Sequence, residues 1–264
     1  MKRKIISQVA LLFTLLAVSG VSGQSLSVTG PARVEMTEGR TYTITWVAGG
    51  AETVNIAVYG ERTSLGTQTR GTFQIVAAKG IPAADGEFQF EVPWIDARHF
   101  AIKIKGYDRS GMQVGMDERS YAFRPAIMAS RTADGIYLDL HERNNQRVYM
   151  QKDRRITHIY VSSSSENYHW LSRTHHISQP HDHAGVYRVI EKRRSHWSSL
   201  YNVRMPYAMR YLGGHFIHAT STRYYKLLGG PASHGCNRLT LHDAQELYNM
   251  TPIGARVEVI GPKG

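Results

Sequence analysis

Residues 229–239 read Gly-Gly-Pro-Ala-Ser-His-Gly-Cys-Asn-Arg-Leu, and they contain the only cysteine of the 264-residue chain. One cysteine excludes an internal disulfide framework and a cysteine-rich zinc module. Glycines and small residues let the backbone turn sharply and present successive N–H groups, which can bind a developing oxyanion. The thiol becomes a useful nucleophile when a neighbour lowers its pKa or takes its proton. Two histidines are candidates. His234 is two residues away, and His218 ends the strand-like stretch Phe216-Ile217-His218, 18 residues upstream of Cys236. An imidazole on a strand facing a thiol on a loop is a workable pair. Arg238 lies in the same loop, and its planar fork suits a carboxylate. A lone cysteine is often a buried small hydrophobe, but a polar, glycine-rich loop is not a core environment.

Working outward, Met205-Pro206-Tyr207, Gly214-His215-Phe216-Ile217-His218-Ala219-Thr220 and Ser233-His234-Gly235-Cys236-Asn237-Arg238 together resemble the L,D-transpeptidase catalytic domain, the YkuD family. The opening strands, Ile136 to Leu140 and an Arg147–Val161 hairpin, resemble it as well, so the likeness covers about residues 134–261. Three features depart from the family. Asp182-His183-Ala184-Gly185 stands where Thr-Pro-x-Gly is usual, Ala219 follows the histidine, and Tyr168 to Pro180 is an insertion. The resemblance implies a cysteine acyltransferase that needs no cofactor and acts on peptidoglycan stem peptides. It would form 3→3 cross-links or attach wall-anchored proteins. Cys236 would be the nucleophile and His218 the base, with Ser233, His234 and Gly235 as oxyanion or support groups and Arg238 and Tyr207 contacting substrate. Glu191 to Gly213, basic and aromatic, would be a lid. Carbapenems are expected to inhibit covalently.

Other chemistries fit some of the same residues. An L,D-carboxypeptidase or another wall hydrolase could use the same pair, with water as the acceptor. His175-His176 and His181-Asp182-His183 have spacings found in zinc sites. Papain-like and NlpC/P60-like peptidases place Cys before His, the reverse of the order here. A non-catalytic wall-binding protein would have no use for an intact His218 and Cys236.

The rest of the chain reads as a second module. Tyr42-Ile44-Trp46, Val54-Ile56-Val58, Phe88-Phe90-Val92 and Phe100-Ile102-Ile104 alternate with polar or small residues, and turn signals at Gly49-Gly50, Gly60, Asp85-Gly86 and Asp108–Gly111 separate them. That pattern predicts an antiparallel β-sandwich over residues 24–126, weakly resembling the Ig-like domains of exported wall proteins. Residues 127–264 read as mainly β with one short helix, capped by Thr240, built on Leu241, Ala244, Leu247 and Tyr248, and stopped by Thr251-Pro252. The fold class is therefore mainly β in two domains, a sandwich followed by an L,D-transpeptidase-type domain.

Charge follows the same division. The formal net charge is +11. Residues 24–126 carry 11 basic and 11 acidic side chains, residues 127–264 carry 18 and 10, and twelve of the 13 histidines lie in the second part. A basic exported module favours anionic wall polymers or membrane surfaces over nucleic acid. Export follows from the N-terminus. Lys2-Arg3-Lys4, the apolar run Ile5 to Val18 and the small residues Val21-Ser22-Gly23 read as a signal peptide, residues 1–23. The apolar run is short for a membrane span, and no later segment reaches one. The expected product is an exported monomer of the periplasm or cell wall. N-terminal sequencing of the secreted protein should return Gln24 as its first residue.

Overall fold

The computed structural model describes residues 25–33, 35–61, 71–95, 97–140, 146–164 and 184–261. The signal segment, the Tyr168–Pro180 insertion and the two histidine clusters between His175 and His183 lie outside the described residues.

The first half contains β1 (Leu26–Gly30), β2 (Glu35–Thr37), β3 (Thr41–Ala48), β4 (Thr53–Glu61), β5 (Thr72–Pro82), β6 (Glu87–Glu91), β7 (His99–Tyr107) and β8 (Gln113–Arg124). They form two sheets, ordered β1-β3-β6 and β2-β8-β7-β4-β5. Alternate side chains point to opposite faces of a strand, so Ile44 and Trp46 of β3, Val54, Ile56 and Val58 of β4 and Phe100, Ile102 and Ile104 of β7 all reach one core with Phe90, Tyr121 and Phe123. Trp46 meets its polar requirement inside that core, its indole N–H donating to the Ala83 carbonyl at 3.1 Å. The antiparallel expectation needs one correction. Short β2 runs parallel to β8, Glu35 opposite Ala122, because the chain returns to the far edge of the larger sheet rather than turning back on a neighbour.

The second half contains β9 (Gly135–Asp139), β10 (Arg147–Lys152), β11 (Arg155–Val161), β12 (Gly185–Arg188), β13 (Glu191–Ser198), β14 (Val203–Leu212), β15 (His215–Ala219), β16 (Asn237–Leu239), helix α1 (Leu241–Met250) and β17 (Arg256–Ile260). One sheet is ordered β11-β10-β9-β17-β12 and the other β13-β14-β15-β16. The expected β10–β11 hairpin turns at Asp153 and Arg154, both with positive φ. Ile136 and Leu138, Val257 and Val259, Ile217, Leu239, and Ala244 and Leu247 of α1 share one core. Thr240 caps α1 as expected, its hydroxyl accepting the Asp243 N–H at 3.1 Å. Leu241, expected on the apolar face of that helix, is exposed instead. It is the first helical residue, where the chain has not yet turned onto the core. The segment expected as a lid is a regular antiparallel hairpin, with Glu191 opposite Arg210 and Ser198 opposite Val203.

Where the halves meet, Arg124 is buried at the end of β8. Its guanidinium reaches the Glu35 carboxylate at 2.7 Å, the Met128 carbonyl at 2.9 Å, Gln151 Oε1 at 3.3 Å and the Arg154 carbonyl at 2.5 Å. One planar fork therefore holds partners from both halves, which an ammonium cannot do. Replacing Arg124 by Met should lower the unfolding free energy by about 2 kcal/mol, since the half-buried Glu35 carboxylate loses its cation. Arg124→Lys should recover less than half of that in urea titrations.

Candidate active site

Strand β15 lies parallel to β16, with Ile217 opposite Asn237, His218 opposite Arg238 and Ala219 opposite Leu239. Matched residues of a pair share a face, and faces alternate along each strand. Ile217, Ala219 and Leu239 point into the core with α1. The other face carries Phe216, His218 and Arg238, and Cys236, one residue before β16, falls in the same alternation. Cys236 packs there against Met205, Ala208 and Phe216. A second clamp holds β16 from its other side. The Arg238 N–H donates to the Ser163 carbonyl at 2.8 Å and the Ser163 N–H to the Arg238 carbonyl at 3.0 Å.

His218 is buried, and its Nδ1 lies 2.8 Å from its neighbour's carbonyl, Ala219 O. A carbonyl only accepts, so Nδ1 carries the proton and Nε2 keeps a lone pair. Burial pushes the imidazole pKa down to about 4; Arg238 and His196 push the same way, against the Ala219 bond. The Cys236 thiol is raised by burial, with the Phe216 backbone and the Arg238 charge opposing. Sγ sits 3.8 Å from the Gly214 carbonyl. At neutral pH both groups are therefore uncharged. Burial thus keeps the thiol protonated rather than lowering its pKa, and it keeps the imidazole on the same face neutral.

The loop before Cys236 is held from within. The Ser233 hydroxyl donates to the Cys236 carbonyl at 2.5 Å and accepts the Gly235 N–H at 3.2 Å. Gly235 has φ +135°, and a Cβ there would lie 3.0 Å from His215 Nε2, so only glycine fits without strain. Arg238 donates to the Ala232 carbonyl at 2.7 Å and lies over the Tyr224 ring. The His234 ring stacks on Tyr201, at the turn of the β13–β14 hairpin, with centroids 4.9 Å apart and planes 11° apart. Ser233, His234, Gly235, Cys236, Arg238 and His218 are thus brought together. Tyr207 is placed elsewhere, edge-on to Tyr248 of α1 at 5.6 Å, with a positive φ of 51°. Among the described residues, no group of three or more His, Cys, Asp or Glu is arranged to hold a metal ion.

Residues 133–259 match the family model of the L,D-transpeptidase catalytic domain, YkuD. That segment is a YkuD domain. Similar solved structures include an L,D-transpeptidase from Xylanimonas cellulosilytica, 24% identical over 52% of this chain and 64% of that one, with a TM-score of 0.43. Another is an L,D-transpeptidase from Stackebrandtia nassauensis, 23% identical over 51% of this chain and 58% of that one, with a TM-score of 0.39. The chain thus spans about three fifths of each of these two proteins. L,D-transpeptidase 3 from Mycobacterium tuberculosis is 15% identical over 90% of this chain and 99% of that one, with a TM-score of 0.37. No curated protein matches the chain.

The YkuD segment contains every residue of the loop and of β15. It also contains neighbours that no motif in the sequence singles out. His196 of β13 stacks on Phe216, centroids 4.6 Å apart. Burial raises the Tyr201 phenol, and the charge that Cys236 would carry as thiolate raises it further, so this ring lies within electrostatic reach of the sulfur. In the sequence both stand out only as members of the Glu191–Gly213 segment, since their approach depends on how the β13–β14 hairpin packs beside β15.

The His218 shift has a stability consequence. The unfolded imidazole titrates near 6.5 and the folded one near 4, so between those values the unfolded chain binds the additional proton. The contribution, about 3 kcal/mol, is complete above pH 6.5, declines as pH falls and is gone near pH 4. Urea denaturation from pH 7 to 4 should show that decline in the wild type and lose most of it in His218→Gln. Alkylation of Cys236 by iodoacetamide should keep accelerating above pH 9, with no thiolate plateau near neutrality.

Proposed function

We propose that the YkuD domain is a peptidoglycan L,D-transpeptidase with Cys236 as its nucleophile. The observation that carries this reading is the β15–β16 register. It puts His218 and Cys236 on one face, while the Ala219 carbonyl holds His218 in the tautomer that leaves Nε2 free to accept a proton. As Sγ attacks the carbonyl between the third stem residue and D-Ala, Nε2 takes the thiol proton. The negative charge moves to the carbonyl oxygen, where backbone N–H groups of His234, Gly235 and Cys236 would receive it; losing one such donor typically costs ~10²–10³ in rate. The Gly235 N–H would have to release the Ser233 hydroxyl to take part. Collapse breaks the C–N bond, and Nε2 returns its proton to the leaving D-Ala amine, giving a thioester on Cys236. An acceptor amine then attacks, Nε2 takes the amine proton, and the C–S bond breaks as the sulfur recovers that proton. Water in place of the amine gives carboxypeptidation.

Arg238 is proposed to bind a substrate carboxylate through its guanidinium. Tyr207, set against α1, is proposed to contact the substrate. The protein is read as an exported monomer of the periplasm or wall, acting on stem peptides, with wall-anchored proteins as alternative acceptors. Residues 24–126 are proposed as a separate module from the catalytic residues 127–264. Two facts support that division: the apolar cores separate between Phe123 and Met128, and the YkuD match begins at residue 133.

Intact-protein mass spectrometry after incubation with disaccharide-tetrapeptide should show an acyl adduct with loss of D-Ala, and none in Cys236→Ala. An added acceptor amine should yield a cross-linked dimer. His218→Gln should slow acylation by about 10²–10⁴. Activity lost with EDTA but retained in Cys236→Ala would sink this reading.

A further inference from the structure

Behind the nucleophile loop lies a polar layer with no part in the chemistry above. Gln146, immediately before β10, is only 3% exposed. Its N–H donates to the Gly229 carbonyl at 2.8 Å, and its carbonyl accepts the Ser162 N–H at 3.1 Å. The Gly229 N–H in turn donates to the Ser162 carbonyl at 2.7 Å. The Gln146 side chain makes a different bond, its Oε1 accepting the Ser164 N–H at 2.7 Å. That bond fixes Ser164, whose carbonyl accepts both the Ala232 N–H at 2.9 Å and the Ser233 N–H at 2.7 Å. Ser233 then holds the Cys236 carbonyl. A short run of hydrogen bonds therefore leads from one amide side chain to the backbone of the nucleophile.

The same run continues the other way. Arg147 Nη1 donates to the Gln146 carbonyl at 3.0 Å. The Arg147 guanidinium lies 5.9 Å from the centroid of the Trp94 ring, within cation–π range. Trp94 belongs to the first half of the chain, where it packs edge-on against Phe123 at 5.5 Å and against the sandwich core. We propose that Gln146 is the positioning residue of the Cys236 loop, and that Trp94, through Arg147, makes the N-terminal half part of that support. The N-terminal half then does more than space the catalytic residues. It stiffens the loop whose carbonyl and N–H directions set the thiol and the oxyanion donors. Small displacements of such groups are costly to turnover. Only the turnover readout rests on the proposed transpeptidase activity; the structural readout does not.

The test uses the full chain as wild type, Gln146→Leu, Gln146→Glu and Trp94→Leu. The backbone groups are the same in all of these; Gln146→Leu deletes the side-chain amide with its Oε1 acceptor, and Gln146→Glu keeps a carboxylate acceptor. Hydrogen exchange reads the support directly. Amides of residues 229–238 should exchange about five- to tenfold faster in Gln146→Leu, the size of one lost hydrogen bond, with β9 and β17 unchanged. The kcat should fall about tenfold with KM within twofold. Gln146→Glu should restore both. Trp94→Leu should move the same amides, less strongly. Exchange in 229–238 that stays at the wild-type rate in Gln146→Leu overturns the proposal, as does acceleration spread equally over β9 and β17. A Trp94→Leu effect confined to residues before 124 overturns the link to the N-terminal half. If the exchange pattern appears but the wild type turns over no tetrapeptide, the transpeptidase reading fails and the positioning role stands.

Discussion

The parallel pairing of β15 with β16 is the constraint on which the site depends. A parallel pair cannot be closed by a tight turn; the chain must leave the sheet and come back. Here the excursion from Thr220 to Cys236 is the connection, and Cys236 is its last residue before the sheet resumes. The pairing dictates that one face of both strands serves the core while the other carries Phe216, His218 and Arg238. Slipping the register by one residue would drive His218 into the α1 interface and turn Ile217 outward. The apolar residues Ile217, Ala219 and Leu239 thus lock the geometry of the polar ones.

The second feature is how much of the site's surroundings is polar yet buried. Ser162, Ser163, Ser164, Ser233 and Asn237 are all almost fully inaccessible. Much of their backbone is paired across the loop rather than along a regular strand, as at Ser162 with Gly229, Ser163 with Arg238 and Ser164 with Ala232 and Ser233. Such a layer suits a loop that must be rigid without being a strand, because buried backbone groups are costly to leave unmade. It also explains why the thiol and imidazole both rest uncharged. The same burial that orders the loop penalises either ion.

Some of this was legible in the residues. The alternation in β3, β4 and β7 predicts the sandwich strands because one face is buried and the other solvated. The Thr240 cap and the Pro252 stop bound α1 because both act within one turn. Strands β5 and β8 are not legible in the same way. β5 lies at the edge of its sheet with many exposed positions, and most of β8 before Tyr121 is exposed or half-exposed, so their apolar periodicity is weak. Ser162, Ser163 and Ser164 are polar in sequence, yet they are buried, because the 229–238 segment pairs with them.

By itself the sequence determined which residues are chemically equipped. It has a single thiol in a glycine-rich loop, a histidine 18 residues earlier on an apolar strand, and a family likeness that the match over residues 133–259 bears out. These are local facts of composition and spacing. Only the tertiary structure decided the protonation states, the tautomer of His218, the placing of Tyr207 against α1, and the approach of His196, Tyr201 and Gln146 to the loop. Each of these depends on desolvation or on contacts between residues far apart in the chain, and neither is a property of any one segment. A pKa near 4 for His218 records the atoms around the ring, and those atoms arrive only when β13, β15 and β16 have packed.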